Sequence, residues 1–221
     1  MVNGTTHNYN FDFSGGRLCL DFANTLSDRK EERPVERLTG YDALVAWALQ
    51  AGALTSEEAD SLLGAAVAQP VEAEEVLHRA RTLREAIYRI FSAVAAGTRS
   101  TAQDLDTLNR ELSATMCNVR LVPSERGFRW GWTQDGLSQG DMSLDRVLWP
   151  VVRSAADLLT SEDELARVKE CAADDCGWLF MDLSKNRSRH WCDMTSCGNR
   201  AKARRHYRRI RGSEVTGDAL R

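Results

Sequence analysis

Four cysteines near the C-terminal end of this 221-residue chain, Cys171, Cys176, Cys192 and Cys197, repeat one spacing: C-x4-C, fifteen residues, then C-x4-C. Four thiolates gathered by two short loops fit a tetrahedral ion, and paired cysteines at this separation are the pattern of a zinc site. Four protein ligands leave no open coordination position, so the expected ion is structural, one per chain, rather than hydrolytic. His190, two residues before Cys192, is the alternative ligand at this end. Cys19 and Cys117 fall outside the cluster, near apolar neighbours, and are expected to be buried thiols. There is no glycine-rich phosphate loop and no nucleophile motif, so the chain is not expected to be an enzyme.

The second cysteine pair runs into Gly198-Asn199-Arg200 and a tract of arginines. From Lys185 to Arg211 there are ten Lys/Arg and one acid, Asp193, whereas the remaining 19 basic and 31 acidic residues leave the rest of the chain at −12. An acidic body with a concentrated basic end is the asymmetry expected where one part meets a polyanion. On a helical wheel Ala203, Tyr207 and Ile210 share a narrow face expected to dock on the zinc module or the body. Arg200, Arg204, Arg208 and Arg211 form a second column, with Lys202, Arg205 and Arg209 on the arc beyond. Seven like charges on one short helix repel, and an anion relieves them. DNA is the expected partner. RNA is the runner-up, because phosphate contacts do not tell the two apart, and an acidic protein surface, the chain's own body included, is the third reading. A helix N-terminus at Gly198-Asn199-Arg200 would offer free N–H groups to a phosphate. Asn199 could read an adenine edge or cap its own helix, and Arg200 could meet guanine or a phosphate.

The elements that must position these residues read as mainly α with small antiparallel β pieces: a helical domain over 1–160, a boundary near Thr160 to Glu164, and a treble-clef-like zinc module over 165–212. Alternation of Tyr9, Phe11 and Phe13 suggests a strand from Asn8 to Phe13. Leu18, Phe22 and Leu26 suggest a helix from Arg17 to Ser27, carrying an Arg17–Asp21 salt bridge at i, i+4. Thr39 is expected to cap a helix from Tyr41 to Gln50, Ser56 to start another, and Pro70 to end it. The strongest stripe is Val76, Leu77, Ala80, Leu83, Ile87, Ile90, Phe91 and Val94, within a helix from Val71 to Ala96. A helix from Thr101 to Met116 follows, then a hairpin of Val119–Val122 and Phe128–Trp132. Trp130 and Trp132 are expected to pack on the helical body. A helix from Asp141 to Leu159 should be kinked or interrupted at Pro150. In the module, Trp178–Met181 and Arg189–Trp191 are expected to pair as strands, with Cys197 at the start of the basic helix. Met1 to Asn10 is polar without an apolar core, and no apolar run approaches a membrane span, so a cytoplasmic protein with reduced thiols and no membrane partner is expected.

Two stretches carry a resemblance. Cys171-Ala172-Ala173-Asp174-Asp175-Cys176-Gly177-Trp178-Leu179-Phe180 with Trp191-Cys192-Asp193-Met194-Thr195-Ser196-Cys197-Gly198-Asn199-Arg200-Ala201-Lys202 resembles the signature of the CGNR zinc-finger family over about residues 168–211. Phe13-Ser14-Gly15-Gly16-Arg17-Leu18-Cys19-Leu20-Asp21-Phe22-Ala23-Asn24-Thr25 resembles the start of the ABATE domain that usually precedes that finger. The resemblance implies a bacterial stress-induced transcriptional regulator whose four cysteines bind zinc and whose Asn199 and Arg200 lie on a DNA-contacting helix. It also motivates a small-molecule effector pocket lined by Arg17, Asp21 and Asn24. The acidic body would then sense that effector or form a homodimer.

Overall fold

The computed structural model describes residues 9–133, 142–205 and 207. Helices α1 (Leu18–Ala23), α2 (Tyr41–Gln50), α3 (Ser56–Ala68), α4 (Pro70–Ala95) and α5 (Ala102–Met116) come first, with a two-residue ladder, β1 (Leu26–Ser27) against β2 (Val35–Glu36), between α1 and α2. The hairpin β3 (Val119–Ser124) and β4 (Gly127–Trp132) follows, then a 3-10 turn, Leu144–Val147, α6 (Trp149–Leu159) and α7 (Glu162–Leu165). The last elements are β5 (Val168–Glu170) antiparallel to β6 (Leu179–Met181), a π-helical turn over Met194–Gly198, and a helix over 199–205, here α8. The fold is mainly α with small antiparallel sheets, as the periodicities indicate.

α4 is the spine. Its stripe from Val76 to Phe91 is buried, and α1, α2, α3 and α5 all pack on it. The ring of Phe22 from α1 meets Trp47 of α2 with centroids 5.1 Å apart. Burying such apolar faces is what holds short helices that would not persist alone. Pro70 opens α4 rather than ending α3, since a fixed φ and a missing N–H suit the first helical turn. Pro150 likewise opens α6, so the expected helix from Asp141 becomes a 3-10 turn and then a helix. Trp132 packs on Trp149 with centroids 5.6 Å apart, whereas Trp130 is 52% exposed under the guanidinium of Arg153.

Several local expectations are corrected. Tyr9 to Phe13 forms no strand, and Asn8 lies outside the described residues; the Tyr9 and Phe11 rings stack instead. α1 stops at Ala23, where the Thr25 hydroxyl donates to the Phe22 carbonyl and the chain turns into β1. Gly40, not Thr39, precedes α2. α3 starts at Ser56 as expected, capped by Thr55 in a reciprocal box with Glu58. Cys19 is buried but Cys117 is exposed.

The last hairpin belongs to the main core. Val168, Leu179 and Met181 are buried in the same cluster as Leu20 and Ile87, and the Met181 N–H donates to the Gly15 carbonyl at 2.8 Å. Among the described residues no helix is long and apolar enough to cross a membrane.

Candidate metal centre

The hairpin β5–β6 delivers Cys171 at its turn. The Cys171 N–H donates to the Trp178 carbonyl at 2.7 Å, and the loop between them carries Cys176. Gly177 makes this knuckle possible: its φ of +73° lies in the left-handed region, and a Cβ there would stand 3.3 Å from Lys30 and the Tyr88 hydroxyl. The expected strand Arg189–Trp191 does not form; β6 pairs with β5, and the returning segment meets the first knuckle through the Ala172 N–H, which donates to the His190 carbonyl at 2.9 Å. The second knuckle is a π turn capped by Asp193, whose carboxylate accepts from the Ser196 N–H at 2.7 Å.

The sulfurs of Cys171, Cys176, Cys192 and Cys197 lie within 4.8 Å of one another, and all four residues are buried. Cys176 Sγ to Cys192 Sγ is 3.7 Å and Cys192 Sγ to Cys197 Sγ is 3.6 Å. A zinc ion about 2.3 Å from each sulfur requires tetrahedral edges of about 3.8 Å, so the cluster fits the ion. Packed this closely, the thiols do not ionise independently. Contacts from Cys176 and Cys192 hold the Cys171 thiol far below its ordinary range, whereas contact with Cys171 pushes Cys176 and Cys192 far up. A divalent cation resolves that conflict by allowing every thiolate to form. Two N–H groups already point at sulfur, Trp178 N–H at Cys176 (3.5 Å) and Arg200 Nη2 at Cys197 (3.2 Å). His190 is exposed, with its ring edge-on to Trp191, and is not part of the cluster.

The knuckle is braced from the body. The Arg29 N–H donates to the Cys176 carbonyl and Lys30 Nζ to the Cys171 carbonyl, while Lys30 also pairs with Glu170 at 2.9 Å. Arg29 in turn pairs with Glu85 of α4 at 2.8 Å and lies over the Tyr88 ring. These braces were missed in the sequence, because one cationic loop 140 residues away carries no local signal.

The basic tract is placed differently from the wheel. The helical path begins at Asp193, so Gly198-Asn199-Arg200 is not a helix start. The Gly198 N–H donates to the Asp193 carbonyl, and the Asn199 side chain to the Thr195 carbonyl at 3.0 Å. Cys197 sits inside the π turn. The face that docks is that of Arg200 and Arg204: Arg200 pairs with Asp175 at 3.1 Å, and Arg204 with Asp175 at 2.8 Å and Asp174 at 3.2 Å. Ala203 and Tyr207, expected inward, are exposed. Lys202 and Arg205 are exposed and make no ion pair among the described residues. Arg208, Arg209, Ile210 and Arg211 lie outside the described residues. The acidic pair within the first C-x4-C, facing a tract of opposite charge, was the available signal for this docking.

Arg17, Asp21 and Asn24 do not converge. Arg17 pairs with Glu164 of α7 rather than with Asp21. Asp21 is buried and accepts from the Gly15 N–H at 2.7 Å. Asn24 exchanges two hydrogen bonds with the backbone of Leu179, each 2.9 Å, and so acts as a one-residue strand beside β6.

A closed four-thiolate module on a helical domain defines a zinc-finger protein, and the chain takes one zinc ion. The model of the ABATE family, described as a putative stress-induced transcription regulator, matches residues 16–162, and that of the CGNR zinc finger matches residues 167–210. The chain belongs to the ABATE family and carries a CGNR zinc finger. No curated protein matches it.

Proposed function

We propose that this chain is a DNA-binding transcriptional regulator in which Cys171, Cys176, Cys192 and Cys197 ligate the zinc ion and the module presents a basic helix to phosphates. The ion, when bound, supplies a tetrahedral cross-link and neutralises thiolate charge. The observation that carries the reading is the division of labour on α8. Arg200 and Arg204 are anchored on Asp174 and Asp175, which orients the helix, and Lys202 and Arg205 are left exposed. Two uncompensated cations on an anchored helix suit a polyanion better than a docked intramolecular surface does. Arg208, Arg209 and Arg211 extend the same charge in the sequence. Asn199 has its amide engaged by Thr195, so affinity rests on phosphates rather than on adenine reading by that residue.

The test is a titration on duplex DNA, single-stranded DNA and RNA across a salt series. Duplex binding should weaken steeply as salt rises, and Lys202→Ala with Arg205→Ala should reduce it while zinc content stays at one per chain. Unchanged binding in that variant sinks the reading, and a preference for RNA transfers it to the runner-up. Cys176→Ser should lose the metal.

A further inference from the structure

Asp182 is completely buried at the end of β6, yet its carboxylate serves an exposed loop. One oxygen accepts from the N–H and hydroxyl of Ser184, at 3.0 and 2.6 Å; the other accepts from Lys169 Nζ at 2.6 Å and the Arg189 N–H at 3.0 Å. Lys169 Nζ donates also to the Arg187 carbonyl at 2.5 Å, and the Ser188 N–H to Ser184 Oγ at 3.1 Å. Arg187 is held with φ of +47°, in the left-handed region. Such satisfaction of a buried charge fixes the loop backbone, since each lost donor leaves the carboxylate less compensated. What the loop presents outward is Leu183, Lys185, Asn186, Arg187 and Ser188. Lys185 and Arg187 make no ion pair among the described residues. The loop is tied to the second knuckle through Arg189, whose guanidinium donates to the Trp191 and Cys192 carbonyls and lies over the Phe180 ring. The knuckle that holds α8 therefore also holds this second pair of cations.

We propose that the loop 183–188, moulded on Asp182, is a second nucleic-acid contact in which Lys185 and Arg187 each meet a backbone phosphate. The inference rests on the DNA-binding reading and adds to it a contact outside the basic helix. A cation carried on a fixed backbone loses less freedom on binding than one on a mobile loop, which is the gain from a buried template beneath a solvent loop.

The experiment compares the full zinc-loaded chain with the Lys185→Ala/Arg187→Ala variant on one duplex across a salt series. Zinc content and thermal unfolding are measured on both, and an Arg99→Ala/Arg110→Ala variant on the body serves as the control for charge alone. Each lost phosphate contact removes about 0.9 from the slope of log affinity against log salt, so the loop variant should be shallower by about 1.8 and weaker roughly 60-fold at about 0.1 M salt. Unchanged affinity and slope in a zinc-loaded loop variant overturn the proposal while leaving α8 to be judged by its own variant. An equal loss in the Arg99/Arg110 control overturns it too, because the effect is then one of net charge. A wild-type chain that binds no nucleic acid overturns both readings. Lys185→Glu/Arg187→Glu should weaken binding further, and a failure to do so also counts against the contact.

Discussion

Asp175 holds two arginines of the basic helix. Its side chain is 10% exposed, and it accepts from Arg200 and Arg204, which would otherwise add to the free cations of α8. Asp175→Asn keeps the shape and removes the charge; with both guanidinium groups nearly half exposed, the loss of stability should be about 1 kcal/mol, read by urea unfolding. The same variant should tighten nucleic-acid binding, because Arg200 loses its carboxylate and Arg204 keeps only the exposed Asp174. Asp174→Asn, on a residue 73% exposed, should change neither measurably. Asp21 gives a pH prediction. Burial pushes its carboxyl up to about 7, the Gly15 N–H opposing and the nearby charge of Asp12 adding. The folded chain then keeps a proton that the unfolded chain releases near its ordinary value of about 3.9, so this group's contribution to stability falls as pH rises from about 4 to about 7. The slope is at most about 1.4 kcal/mol per pH unit. Asp21→Asn retains an acceptor for Gly15 and should remove that slope, as measured by the difference between the two proteins' unfolding free energies at about pH 5 and about pH 8. Parallel curves would contradict the assignment.

At the scale of elements, the join between α1 and β6 is the most informative. Asn24 donates to the carbonyl and accepts from the N–H of one buried residue, Leu179. Asn24→Ala should cost about 2–4 kcal/mol, since a buried N–H and a buried carbonyl both lose their partner. Asn24→Asp should do at least as much damage, because it removes the donor and places a charge against a carbonyl. Thr55→Ala, which breaks only an exposed cap on α3, should cost about 1 kcal/mol. The order of these two effects in denaturant is the check. Of the elements themselves, α4 was readable because its stripe is long and one-sided, and repeated 3-4 spacing admits few other structures. Arg189–Trp191 was misread as a strand because adjacency to Cys192 suggested a hairpin; the partner that β6 found, β5, precedes the first knuckle and is only three residues long. Short strands are chosen by what packs on them, and that is not written in their own residues.

At the scale of the molecule, the zinc module shares its core with the helical domain. Val168, Leu179 and Met181 are buried with residues of α1 and α4, Gly15 pairs with Met181, and Arg29 and Lys30 hold the knuckle carbonyls. Removing zinc with a chelator should therefore lower the stability of the whole chain and leave a single unfolding transition by calorimetry, rather than melting an independent finger. An unchanged upper transition after metal removal would show that the domain over 16–162 stands alone.

The sequence by itself determined the metal. Spacing alone brings four cysteines to two short loops, and their chemistry then selects the ion, whatever surrounds them. It determined the long helix and the charge division as well, because periodicity and composition are properties of contiguous residues. Only the tertiary structure decided which side of α8 is anchored, where its helical path begins, that Arg17, Asp21 and Asn24 serve three separate partners, and that a buried Asp182 shapes a cationic loop. Most of those depend on a polar group supplied from elsewhere in the fold. The strength of a charged contact is set by its distance and by the water excluded from it, and neither quantity exists until the chain has packed.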